Sequence, residues 1–112
     1  MNIDTNNLNK AIRHGEVLMI PVTNIPEDAV EVYDGKEFVV GHSETGHHHI
    51  VTGSVTAFKG ADTFLRVNSA SILKHVKTFD VHETKDVSEG VYLVRGKNEY
   101  DLFADVIRKV RD

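Results

Sequence analysis

Four of the chain's seven histidines fall between positions 42 and 49, in the run Gly41-His42-Ser43-Glu44-Thr45-Gly46-His47-His48-His49. The run continues into a β-branched segment, Ile50-Val51-Thr52. Neutral imidazole binds divalent transition ions such as Zn2+, Fe2+, Mn2+, Ni2+ and Cu2+, and a catalytic centre takes three protein ligands and keeps one position for water or substrate. Side chains alternate along an extended strand, so His47 and His49 project to one face with Val51, while His48, Ile50 and Thr52 project to the other. His47 and His49 are therefore read as two ligands of a metal. The third is sought locally in His42 or Glu44, folded back by the turn that Gly46 permits, or on another strand in His75 or His82. In metal-assisted hydrolysis the proton of the bound water would pass to Glu44 or to the spare imidazole of His48.

The elements that must position these groups read mostly as strands. Leu8, Ala11 and Ile12 have helical spacing, with Thr5 or Asn6 as N-cap and Gly15 as a stop, which predicts a short N-terminal helix or arm over 5–14 with His14 at its C-terminal end. Glu16 to Val22 is a continuous apolar run of strand length whose Pro21 belongs at a sheet edge or bulge. Ala29 to Tyr33 and Lys36 to Val40 alternate on either side of Asp34-Gly35, the signature of a tight hairpin. A second hairpin is expected to turn at Gly53-Ser54, which sets His49 opposite Phe58 and Val51 opposite Thr56. Further strands are expected over 62–67, 71–82 and 91–95, and over 102–110, where helical and strand patterns overlap and a strand is preferred. About eight short strands predict an all-β fold, a small antiparallel β-barrel or jelly-roll-like sandwich, in one domain spanning 1–112.

Composition narrows the function classes. A chain of 112 residues, 40% hydrophobic and 27% charged, is large enough for one core, and no apolar run reaches the length of a membrane helix. The first residues lack the basic start and apolar middle of a secretory signal, which gives a cytoplasmic expectation. There is no cysteine, so thiolate ligands, disulfides and a Cys nucleophile are excluded and any metal is held by nitrogen and oxygen. A net charge of −4 with no Lys/Arg block disfavours a general grip on nucleic acid. Protonating all seven histidines would carry the charge from −4 to +3, so association and solubility are expected to respond to pH. The sequence holds no dinucleotide, P-loop, His-Glu-x-x-His, Gly-x-Ser-x-Gly or EF-hand motif.

Gly41, His47, His49 and Gly60, at their spacings, resemble the first signature of the cupin superfamily. That resemblance implies a β-barrel holding a metal between two strand histidines, a glutamate and a later histidine. Where the pattern has its glutamate this chain has Gly53, and no copy of the second signature follows. The box from Gly41 to His49, with Arg13-His14-Gly15-Glu16 before it and Glu99-Tyr100-Asp101 after it, also resembles a set of small uncharacterised proteins of bacteria and their phages, which implies no activity. Three readings stand beside one another. The first is a divalent-metal site (Zn, Fe, Mn or Ni) with hydrolytic chemistry. The second is a non-catalytic module that recognises a small anionic molecule or a partner protein and forms homo-oligomers through exposed hairpin edges. The third is a metal-free pair of histidines acting as acid and base on a phosphodiester.

Overall fold

The computed structural model describes residues 3–14, 17–41, 48–76 and 81–96, with backbone alone at 75–76 and 81–83. Its eight strands are β1 (Ile12–His14), β2 (Val17–Pro21), β3 (Val30–Gly41), β4 (His48–Lys59), β5 (Thr63–Val67), β6 (Ser71–Val76), β7 (Val81–Val87) and β8 (Gly90–Arg95). They form one antiparallel sheet in the order β1-β2-β8-β5-β4-β6-β7, with β3 paired to β4. The sheet curls into a nearly closed barrel, preceded by one short 3-10 helix over Thr5–Lys10. The expected all-β barrel with a short N-terminal helix is what the chain forms. The region 102–110 lies outside the described residues.

The barrel's interior is apolar because one side of each strand is. On β4 the inward positions are His49, Val51, Val55 and Ala57, all buried, while His48, Ile50 and Thr52 on the other face are half-buried. This is the period-2 pattern of a strand with one face on a core. Strand β2 is buried at all five positions. Val17 and Met19 join the interior cluster, and Leu18 and Ile20 join a second cluster with Leu8, Ala11, Phe64 and Leu93. A strand covered on both faces has to read as a continuous apolar run. Pro21 sits at its end, past the three residues that pair with β1, where a missing N–H costs little.

The sequence and the structure differ at the N-terminus and in the hairpins. Helix-like geometry stops at Lys10, and its N-cap is Asp4, whose carboxylate accepts from the Asn6 amide at 3.2 Å and the Asn7 side chain at 2.7 Å. Ile12, Arg13 and His14 are a strand, not the end of a helix. Neither two-residue hairpin forms. Residues 30–41 run unbroken as β3 and residues 48–59 as β4, and the two make one long ladder in which Phe58 lies opposite Glu31 and His49 opposite Gly41. Asp34-Gly35 and Gly53-Ser54 mark bends in this ladder. The register shifts between Gly35 and Glu37, and at Gly53 strand β4 passes from pairing with β6 (residues 48–52) to pairing with β5 (residues 55–59). Bulges and glycines of this kind turn the corner of a barrel. The Asp34 carboxylate accepts a hydrogen bond from the Thr56 hydroxyl at 2.9 Å, across the strands rather than within a turn.

Candidate functional site

Two imidazoles meet inside the barrel. His14 ends β1 and His49 is the second residue of β4, and both are buried, at 2% and 4% exposure. Their Nδ1 atoms are 2.9 Å apart, and the rings stand nearly perpendicular, with centroids 4.9 Å apart and an interplanar angle of 84°. At that distance one Nδ1 carries a proton and donates to the lone pair of the other, or both lone pairs point at a common cation. A cation at the usual 2.0–2.1 Å from each nitrogen, with an N–M–N angle between octahedral and tetrahedral values, holds the two nitrogens about 2.9–3.4 Å apart. The observed spacing therefore fits either arrangement.

Local folding explains how a residue at position 14 reaches one at position 49. Only two residues separate β1 from β2 in the chain, and His14 pairs with Val17 while Arg13 pairs with Leu18. The alternation of β1, buried-exposed-buried, turns Ile12 and His14 inward and Arg13 outward. β1 ends the sheet on one side and β7 on the other. The Lys85 ammonium of β7 donates to the Arg13 carbonyl oxygen of β1 at 3.1 Å, so the two ends of the sheet meet beside His14. Gly41, opposite His49 in the ladder, brings β3 over the imidazole. A β-carbon built at Gly41 would overlap a Val17 methyl and lie 3.4 Å from the His49 ring, so the close approach of β2, β3 and β4 depends on that glycine.

Around this pair the backbone register sets further histidines. His49 of β4 lies opposite His75 of β6, and His75 lies opposite His82 of β7. His48 is opposite Val76, on the other face of β4 from His49. His42, Glu44 and His47 lie outside the described residues, so the expected pairing of His47 with His49 concerns a position the structure does not describe. The partner that it does show is His14, which the helical spacing over 5–14 predicts at the C-terminal end of a helix or arm and which lies instead in β1. The signal for its strand position is the pattern Ile12-Arg13-His14, Gly15-Glu16, Val17-Leu18-Met19, two short alternating or apolar runs with a two-residue gap between them. Among the described residues, no group of three or more His, Asp or Glu side chains is placed to hold a metal.

A separate concavity of about 950 Å3 opens between β3 and the ends of β5 and β8, lined by Val32, Phe38, Val40, Lys59, Thr63 and Val94 among others. Its walls are largely apolar, and its β3 side carries the Tyr33 and Phe38 rings in contact at 5.6 Å. Among the described residues no helix is long and apolar enough to cross a membrane.

Comparison with known proteins gives a family and no activity. The family described as Domain of unknown function (DUF8820) matches residues 13–97, a span that contains both imidazoles and all eight strands except the first residue of β1. Its description names neither cupins nor a phage source. Neither the curated proteins nor the solved structures give a match.

Proposed function

We propose that this chain, which belongs to the DUF8820 family, is a small β-barrel protein that binds a divalent transition metal through the buried imidazoles of His14 and His49. The observation that carries the reading is the pair of buried Nδ1 atoms 2.9 Å apart, set among the mostly apolar buried residues described. A metal between them would use the same two atoms with little movement.

The chemistry follows from the ligand type. Neutral imidazoles leave the charge of the cation uncompensated in a desolvated place, which favours an anion at the open coordination position: hydroxide, a carboxylate or a phosphate. Bound water at such a site is acidified to near neutral pH and becomes a nucleophile. Hydrolysis of an anionic substrate and tight binding of a small anion are thus two uses of one centre. Proton transfer by Glu44, and ligation by His42 or His47 from the loop before β4, belong to the same proposal, while His48, on the other face of β4, stands apart from it.

The test is elemental analysis of protein purified without a polyhistidine tag or nickel resin, beside His14→Gln and His49→Gln variants whose folding is checked by circular dichroism. One equivalent of metal in the parent, lost in both variants, is the expected result. Protein that takes up no Zn2+, Ni2+ or Cu2+ on titration leaves the imidazole pair as a hydrogen-bonded core feature and ends the metal reading. The metal-free alternative, an imidazole pair passing a proton to and from a phosphodiester, then gains, since Nδ1–H···Nδ1 is already the geometry of a shared proton.

A further inference from the structure

The two end strands of the sheet meet at a seam that a side chain bridges, and the seam holds a hollow that neither imidazole of the pair lines. β1 pairs with β2 and β7 with β6, and the Lys85 ammonium crosses from β7 to the Arg13 carbonyl oxygen at 3.1 Å. Beside that bond lies a hollow of about 350 Å3, walled on one side by Asn9 to Arg13 and on the other by Lys85, Asp86 and Ser88. Local structure puts the charged groups there. The 3-10 helix ends at Lys10 and the chain passes through Ala11 into β1, whose alternation buries Ile12 and His14 and turns Arg13 outward. Lys10 and Lys85 are half-buried, and the bond to the Arg13 carbonyl fixes the Lys85 charge at the rim.

We propose that this hollow binds a small phosphate dianion, free or as the ester group of a small molecule. The chain carries 17 acidic side chains against 13 Lys and Arg, yet here three cations, Lys10, Arg13 and Lys85, share one hollow with a single carboxylate, Asp86. A local excess of positive charge in an acidic protein attracts an anion. The donor types match a phosphate group: a guanidinium offers a planar fork to two of its oxygens, ammoniums act as point charges, and the Asn9 amide and Ser88 hydroxyl add neutral donors. Partial burial of both lysines weakens the screening of their charge by water. Asp86 sets the selectivity, because three cations less one carboxylate suit a dianion better than a monoanion, and its oxygens can accept from a hydroxyl on the alcohol part of an ester. The volume is that of a small-molecule pocket, and one compact cluster lacks the row of cations that a nucleic-acid backbone needs. The site stands independently of the metal reading above.

Calorimetric titrations test the site on full-length protein, both as purified and after removal of metal with the chelator dialysed away. The probes are inorganic phosphate, ribose 5-phosphate and ribose. Saturable binding of a phosphate probe in both preparations, and none of ribose, is the expected result; equal affinities assign the free ion, and tighter ribose 5-phosphate assigns the ester. Lys10→Gln and Arg13→Gln, the latter leaving the Arg13 carbonyl and its bond to Lys85 in place, should each weaken binding about tenfold, the scale of one hydrogen bond to a charged group. Asp86→Asn should tighten it. Lys36→Gln removes the same charge from an exposed position of β3 and should bind as the parent does. In the parent, amide shifts on adding phosphate, which need no variant to fold, should cluster at 9–13 and 85–88, and clustering elsewhere overturns the site. So does the absence of saturable binding at millimolar probe, or an equal loss in Lys36→Gln, which would make the effect one of net charge. Binding that vanishes with the metal or in His14→Gln, yet survives Lys10→Gln and Arg13→Gln, puts the anion on the metal: it overturns this site and leaves the metal reading standing.

Discussion

Tyr92 has its ring in the barrel interior, fully buried, and its hydroxyl donates to the Ser88 carbonyl oxygen at 2.7 Å. Burial disfavours the phenolate and pushes the pKa up to about 12 from an ordinary value of 10.0. The phenol is neutral when protonated, so the folded state holds the proton more tightly than the unfolded chain does. The stabilisation is fully present below pH 10, falls as the pH rises through 10 to 12, and is gone above that. Two pH units correspond to roughly 3 kcal/mol. Urea unfolding between pH 7 and 12 is expected to show this loss in the parent. In Tyr92→Phe the alkaline limb should be shallower by most of that amount, and stability at pH 7 lower by about 1 kcal/mol for the lost hydrogen bond. Equal alkaline limbs in the two proteins would place the titrating group elsewhere.

At the same scale, Gly41 shows how a residue with no side chain positions one that has one. Gly41→Ala drives a methyl group into Val17 and onto the His49 ring, an overpacking expected to cost about 1–3 kcal/mol. It should also weaken Zn2+ binding, because His49 turns away from His14; unchanged affinity in the folded variant would show that Gly41 serves packing alone. The histidine box was legible as chemistry from residue type, and the inward direction of His49 from the period of two. His14 was not. Its neighbours Leu8, Ala11 and Ile12 have helical spacing, and the choice of strand for 12–14 is made by pairing with β2, a contact that periodicity within ten residues does not contain.

Strands, too, were legible as strands but not as partners. The two glycine signals, Asp34-Gly35 and Gly53-Ser54, are local, and each alone is a valid hairpin turn. They fail as turns because they come nearly opposite each other in a ladder of twelve-residue strands, where β4 must serve β6 along one half and β5 along the other. One long hairpin with a shared bend satisfies both neighbours, and two tight hairpins would strand one of them. The bend makes a testable demand on Gly53. Its φ of +144° is a conformation that side-chain-bearing residues seldom adopt, and an added β-carbon would lie 3.1 Å from the Ser71 α-carbon, which is backbone and cannot rotate aside. Gly53→Ala is expected to lower stability by about 1–3 kcal/mol. Gly60→Ala, where the nearest atom, the Ala29 α-carbon, is 3.4 Å away, should cost well under half as much. Thermal melts of the two variants compare them directly, and equal losses would mean that the bend tolerates an ordinary residue.

For the whole molecule, the imidazole pair matters because of what it ties together. β1 and β4 are separated by 35 positions between His14 and His49. β1 is also the end strand of the sheet, held laterally by β2 and by the Lys85 contact from β7. End strands with few partners are the places where a barrel opens locally. An ion bound by both histidines clamps the seam and binds the folded chain alone, since the unfolded chain does not bring residues 14 and 49 together. Free metal at a hundred times its dissociation constant then stabilises the fold by about 2.7 kcal/mol, and in a domain of this size that raises the melting temperature by roughly 10 °C or more. The gain should vanish with excess chelator and be absent in His14→Gln, whose own melting temperature should not respond to metal. A chelator-reversible rise that persists undiminished in His14→Gln would locate the ion away from the seam, and the barrel would then close by its hydrogen bonds and apolar interior alone.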